Sequence, residues 1–325
     1  MTGPAKRVAP IPTPLNREVE YLDVQRSPTV LCYGVGVDST ALLIELVSQG
    51  RKPDLVLTAD PGAEKPETYA YLDLMRDWMK QRDIEFHVVR YVTKRFKNYP
   101  PYADLAGSLL TNGCLPSIAF GRSSCSLKYK AAPQESFIKT WKPAIDAWAR
   151  GDKVIRYIGY DAGKRDSQRY SHAVTIEDPL FDNSYPLRLW GWDREACENR
   201  IRAEGLPVPP KSSCVFCTAM KPDEVRALPD YWLRMIVLIE ARAAPRLRTV
   251  EGLWRRATRT RPGRMTDFIR TEKLLPEADI EAIIASAPTS LVRFQEQASH
   301  QPVEARPTLE TWLERFHTQD GRITA

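Results

Sequence analysis

Two short stretches of this chain carry residue types that do chemistry, at spacings that let them act together. The first is Gly34-Val35-Gly36-Val37-Asp38-Ser39-Thr40, a glycine turn between an apolar run and an amphipathic helix. Unpaired backbone N–H groups and the helix dipole at such a point favour an anion, a phosphate above all. The second is Cys214-Val215-Phe216-Cys217. The C-x-x-C spacing puts two thiolates on one metal ion or cluster; a redox dithiol or unligated cysteines are the alternatives. Asp60 and Glu64 follow a second apolar run and should line the same cleft as the turn, unless they are loop acids in water. Arg122, Lys128, Lys130, Lys164, Arg165 and Arg169 are candidates for an anionic ligand, against the bland reading of solvated charges. Cys32 lies inside the first apolar run and reads as a small core residue. The four histidines, His87, His172, His300 and His317, form no ligand spacing.

Strands and helices must position these groups, and the hydrophobic pattern predicts them. "TVLCYG" (29–34) is a strand, followed by a helix from Asp38 to Gln49 with Leu42, Leu43, Leu46 and Val47 on one face; Gly50 stops it. "DLVLTAD" (54–60) is a second strand. A helix from Pro66 then carries Tyr69, Leu72, Met75 and Met79 at helical spacing. "IEFHVVRY" (84–91) and "KVIRYIGY" (153–160) are further strands, with helix signals around 126–148 and no clear periodicity over 92–124. Strand–helix alternation predicts an α/β fold, a parallel sheet with helices on both faces. After residue 171 the alternation fades. A polar helix near 192–204 precedes the C-x-x-C, and the remainder is mainly helical, with a basic stretch at 253–265.

The chain of 325 residues is long enough for a full core, and its 43% hydrophobic and 27% charged residues are ordinary for a globular protein. The net charge of +6 fits an anionic ligand or nucleic acid as well as it fits a solvated surface. No apolar run approaches the roughly 18 residues of a membrane span. The N-terminus has no secretory h-region, so six cysteines argue for thiol, metal or cluster chemistry in the cytoplasm rather than a disulfide framework. Four segments are expected: a loose arm (1–27), a nucleotide-binding α/β domain (28–170), a cysteine-containing segment packed on it (171–245), and a basic, mainly helical region (246–325).

Three phosphate loops compete for the glycine turn. A Walker loop needs Lys where Asp38 stands, so it fails. The dinucleotide pattern G-x-G-x-x-G is met by Gly34 and Gly36 but has Ser39 at its third glycine, and Asp60 lies near the place of a ribose-binding acid. The third is the S-G-G-x-D-S loop of the ATP pyrophosphatases. "TADPGAEKPETYAYLD", "RSSCSLKYKAAPQESF", "YIGYDAGKRDSQR" and "KSSCVFCTAMKPDEV" follow it in order. Over residues 28 to 225 these segments resemble the phosphoadenosine phosphosulfate reductase-like branch of the PP-loop, adenine nucleotide alpha hydrolase superfamily. Gly34 replaces the loop's Ser and Val35 its first Gly, which brings a Cβ close to the phosphates.

The resemblance implies ATP and Mg²⁺ as cofactors. It implies a nucleotide site of Gly34, Gly36, Val37, Asp38, Ser39, Thr40, Asp60 and Glu64, in which the amides of 36–39 and the Ser39 and Thr40 hydroxyls take the phosphates. Asp38 would hold Mg²⁺, unless Asp38 and Ser39 only cap the helix. Asp38, Lys128 and Arg169 are the implied catalytic residues. Cys125, Cys197, Cys214 and Cys217 are the implied ligands of a [4Fe–4S] cluster, or of zinc; Cys114 is a second candidate for the fourth position.

The reading is an enzyme that adenylates an acceptor and releases pyrophosphate, in a sulfur-transfer or nucleic-acid modification pathway. Its partners would be an adenine nucleotide, a nucleic acid touched by Arg255, Arg256, Arg259, Arg261 and Arg264 near Trp254, and a sulfur donor such as a cysteine desulfurase, with no membrane. One alternative is sulfonucleotide reduction, opposed by the lack of any cysteine after Cys217 and of an adjacent Cys-Cys pair. The other is a non-catalytic, metal-stabilised nucleotide-binding module of a larger complex.

Overall fold

A computed structural model describes residues 26–93, 101–116, 118–119, 122–306, 308–311 and 313. All but the last two residues of the expected 1–27 arm lie outside this set. The first half of the chain runs β1 (Thr29–Cys32), α1 (Val37–Ser48), β2 (Leu55–Ala59), α2 (Pro66–Lys80), β3 (Phe86–Val89) and α3 (Leu105–Asn112). A small antiparallel pair, β4 (Ile118–Ala119) and β5 (Arg122–Ser123), leads into a π-helical turn over Ser126–Ala131. Then come α4 (Ala132–Ile138), α5 (Lys142–Ala149), β6 (Val154–Ile158), α6 (Lys164–Ala173) and β7 (Phe181–Ser184). The rest is helical: α7 (Pro186–Leu189), α8 (Arg194–Ala203), α9 (Pro222–Arg226), α10 (Asp230–Ala243), α11 (Met265–Thr271) and α12 (Glu277–Ser299).

Five strands form one parallel sheet in the order β3-β2-β1-β6-β7. Side chains alternate across it, so neighbouring residues of β1 feed two cores. Leu31, Val56 and Tyr157 pack with Leu42, Leu43 and Leu46 of α1, Met75 of α2 and Ile201 of α8. Val30, Leu55, Leu57 and Val154 pack on the other face with Ile138, Trp141 and Ala144. The predicted parallel sheet with helices on both faces is therefore present. Each of the fully buried leucines of α1 contributes roughly 1.5–3 kcal/mol to holding it in place. A third core joins α10 to α3, α11, α12 and the Cys214–Met220 segment. Among the described residues no helix is long and apolar enough to cross a membrane.

The structure adds elements that the hydrophobic pattern does not predict, α3 and β7 among them. Helix α3 lies within 92–124, capped by the Asp104 carboxylate, which accepts from Gly107 N at 2.7 Å, and ended by Gly113 at φ 54°. Strand β7, reading Phe-Asp-Asn-Ser, lies at the sheet edge with only Phe181 buried, so it carries no apolar run. The sheet thus extends beyond residue 170, and α8 packs on α1 as part of the same α/β unit.

Candidate functional site

The sheet order reverses at β1, whose neighbours β2 and β6 carry the chain away on opposite sides; this is where open α/β sheets bind ligands. The glycine turn leaves β1 here. Gly36 is the N-cap of α1, and among the described residues no side chain caps it. The first helical bond is Thr40 N to Gly36 O at 3.0 Å, so the amides of Val37, Asp38 and Ser39 have no acceptor among the described residues. A Cβ on Gly36 would meet nothing within 4 Å, which leaves room in front of these amides. Behind them the fit is tight. A Cβ on Gly159, just after β6, would stand 2.9 Å from Ser39 N and 3.0 Å from its Cα, so only glycine lets the two loops approach.

The side chains of the turn divide the work. Ser39 Oγ donates to Gly36 O at 3.2 Å and accepts from Gly34 N at 3.3 Å, bracing the turn rather than capping the helix. The Thr40 hydroxyl, expected at the phosphates, is fully buried and lies 3.1 Å from Tyr33 Oη. Val37 is also fully buried, which leaves its amide as its contribution to the turn. Val35 takes φ 56°, costly for a β-branched residue by about 1–3 kcal/mol, and is only 4% exposed among the residues under α1. Its side chain packs with the core under α1 and also borders the cleft on the β2 side.

Asp38 projects beside Asp161 and Asp166. Burial raises its carboxyl above the ordinary range; Arg194 pulls it back, and the two aspartates push it further up. Arg194 Nη1 stands 3.2 and 3.3 Å from the two Asp38 oxygens. Arg169 donates to Asp166 at 3.0 Å and lies 4.5 Å from the Tyr160 ring, so it borders this cluster without touching Asp38.

On the β2 side a cleft opens, walled by Gly34, Val35, Asp60, Glu64 and Lys130. Asp60 is pinned: Arg90 donates to Oδ2 at 3.0 and 2.6 Å, while Tyr69 Oη and Gly62 N take Oδ1 at 2.8 and 2.7 Å. Glu64 is 6% exposed; its Oε1 accepts from Lys130 Nζ at 2.7 Å, and its buried Oε2 has no partner among the described residues. Burial acts to lower the Lys130 ammonium, but Glu64 and the thiols of Cys214 and Cys217 outweigh it and hold it above its ordinary range. Lys128, the expected catalytic lysine, points elsewhere. Its Nζ lies 4.8, 5.6 and 5.2 Å from the ring centroids of Tyr91, Tyr102 and Tyr129. The π turn over 126–131 rotates successive side chains differently from an α-helix, and Lys130 faces the cleft instead. The K-x-x-P spacing of Lys130 to Pro133 is the signal that could have singled it out.

A backbone bridge pairs Glu64 with Cys214, with Val215 N to Ala63 O at 3.0 Å and Lys65 N to Ser213 O at 3.3 Å. This carries the C-x-x-C to the loop after β2. The charges of Cys217 and Cys125 act on Cys214, whose thiol burial pushes well up, Glu64 adding to the push. Cys125 also accompanies Cys217. Cys197 is not brought to them. It is fully buried between α8 and α1, beside Asp38 and Asp161, and burial pushes its thiol up to about 12. Cys114 lies near Lys128 and Arg246. All six cysteines are free, and among the described residues no group of three or more His, Cys, Asp or Glu side chains stands ready to hold a metal ion. Of the four expected ligands, Cys125, Cys214 and Cys217 are near enough for their charges to act on one another, and Cys197 is not among the groups that do.

Glu224 anchors the cysteine loop, accepting from Lys65 Nζ at 2.6 Å, Lys211 Nζ at 2.7 Å and Lys221 N at 2.9 Å. Burial would raise its carboxyl, but these bonds outweigh burial and bring it to about 2. A depressed carboxylate contributes stability above its ordinary value near 4.5 and loses it as pH falls towards about 2. Urea midpoints measured across that window should fall steeply for the native chain and less steeply for Glu224→Gln, which starts lower at neutral pH. No protein-family model matches this chain, and no curated protein matches it.

Proposed function

We propose that this protein binds ATP at the α1 turn and transfers its adenylyl group to an acceptor oxygen with release of pyrophosphate. The observation that carries the reading is the uncapped N-terminus of α1 at the sheet reversal, open in front and backed by Gly159, with the Glu64–Lys130 cleft beside it. The acceptor oxygen would attack the α-phosphorus while the bond to the bridging oxygen breaks. The charge on departing pyrophosphate would fall to the α1 amides and Lys130. Asp38, with Asp161 and Asp166 close by, supplies hard oxygens suited to Mg²⁺. That ion would arrive with the phosphates rather than sit in a protein cage, and would neutralise the leaving group. Cys125, Cys214 and Cys217 are the residues that would share a zinc ion or a cluster, which would supply a structural tie or sulfur chemistry. Free thiols throughout suit a reducing, cytoplasmic setting, and a sulfur-donor protein would be the partner if sulfur follows adenylation.

One observation favours a second reading, nucleotide binding without turnover: Arg194 already engages both oxygens of Asp38. Incubation with α-labelled ATP and Mg²⁺ separates the two. AMP and pyrophosphate support adenylyl transfer, tight binding without products supports the silent module, and sulfite from phosphoadenosine phosphosulfate would overturn both in favour of reduction. Gly159→Ala should weaken ATP binding about tenfold or more, because its Cβ must displace the Ser39 backbone.

A further inference from the structure

The segment 251–264 holds five arginines, Arg255, Arg256, Arg259, Arg261 and Arg264, against one carboxylate, Glu251. It is a tightly held loop. The buried carboxylate of Glu240 clamps both ends, accepting from Leu253 N at 2.7 Å on one side and from Met265 N, Thr266 N and Thr266 Oγ1 at 3.0, 2.8 and 2.6 Å on the other. Inside, Thr258 and Arg261 form a bridge, and Glu251 accepts from Ala257 N at 3.1 Å.

Among the described residues none of these five guanidinium groups pairs with a carboxylate, whereas Arg226, Arg234 and Arg270 on the neighbouring helices are each paired. Arg256, Arg259 and Arg264 are exposed. Backbone carbonyls orient Arg256, through Thr249 O, and Arg264, through Glu251 O. Holding uncompensated like charges on a rigid loop is unfavourable unless a polyanion completes them.

The loop's aromatic residue does not face solvent. Trp254 is 3% exposed, donates its indole N–H to Met220 O at 2.9 Å, and is covered by Arg261 at 4.7 Å. With no exposed ring for bases to stack on, the loop suits a phosphate backbone in helical form better than an unstacked single strand. Through Trp254 and Met220, whose N–H bonds to Cys217 O at 2.9 Å, the loop is joined to the cysteine segment.

We propose that the 251–264 loop is a preformed seat for the sugar–phosphate backbone of a double-stranded nucleic acid, held beside the Cys214–Cys217 loop. Only the chemistry after binding rests on the adenylation reading; binding itself needs no nucleotide. Fluorescence anisotropy without ATP, using random-sequence DNA and RNA duplexes from about 50 to about 200 mM salt, tests it. Sequence-independent binding is expected, weakening linearly in log salt, and the tighter duplex names the nucleic acid. Arg256→Gln/Arg259→Gln should lower affinity by roughly tenfold or more and flatten the salt slope by about 2. Arg256→Lys/Arg259→Lys should retain most of the binding, with an unchanged melting curve in both variants. Failure of the native chain to bind either duplex at about 50 mM salt would overturn the proposal. So would tighter binding to a single strand or to anionic phospholipid vesicles, or native affinity in the Gln variant. ATP turnover without nucleic acid should be the same in all three proteins, so this test and the adenylation test fail separately.

Discussion

Lys130→Met should cut pyrophosphate release from ATP by about a hundredfold or more, while Lys128→Met should leave it within a few fold. The two lysines stand two positions apart in the same π turn, yet only Lys130 reaches the cleft, where it pairs with Glu64 at 2.7 Å. The same substitution has a stability signature that does not depend on turnover. Glu64 would be left buried with both oxygens unpartnered. Breaking a fully buried pair costs roughly 3–5 kcal/mol, and because the Lys130 side chain stays 38% exposed a loss of about 2 kcal/mol is expected. Glu64→Gln/Lys130→Met should recover much of that loss without recovering turnover. Steady-state pyrophosphate assays and denaturant midpoints on the four proteins read both effects. Equal turnover losses for the two lysine variants would remove Lys130 from the site.

Glu240→Ala should destabilise the fold by about 4 kcal/mol. Its carboxylate receives three backbone N–H groups and the Thr266 hydroxyl, all buried, and alanine would orphan all four donors. Glu240→Gln should fall between, since the amide oxygen still accepts but its NH₂ faces donors. The damage should be local first. Limited proteolysis should nick the 251–264 loop in either variant well below the denaturant midpoint, and duplex binding should weaken because the arginines lose their common frame. A native proteolysis pattern in Glu240→Ala would show that the loop is held by something else.

The strands β1, β2 and β6 and the helix α1 were legible in the sequence because each buries apolar side chains, and β3, half-exposed, because it is a short run of β-branched and aromatic residues. Leu42, Leu43 and Leu46 recur at helical spacing, and Val30 to Leu31 and Leu55 to Leu57 form unbroken apolar runs. Strand β7 was not legible, since an edge strand covered on little more than Phe181 needs no apolar pattern. Helix α3 had its signals, Asp104 before it and Gly113 after it, hidden in a region without clear periodicity. The glycine turn between β1 and α1 was legible from its residues alone, but the sequence did not show that the Thr40 hydroxyl is buried against Tyr33 or that Val35 packs into the core beside the cleft.

By itself the sequence determined the parallel α/β sheet, the turn at its centre and the thiols available to the fold. These are local properties, written in periodicity, glycines and spacing. Only the tertiary structure decided which of those groups meet. The Glu64–Cys214 bridge brings the C-x-x-C to the cleft, α8 carries Cys197 away under α1, and a π turn exchanges Lys128 for Lys130. Each depends on contacts between segments far apart in the chain or on the rotation of one turn. Neither leaves a pattern in neighbouring residues.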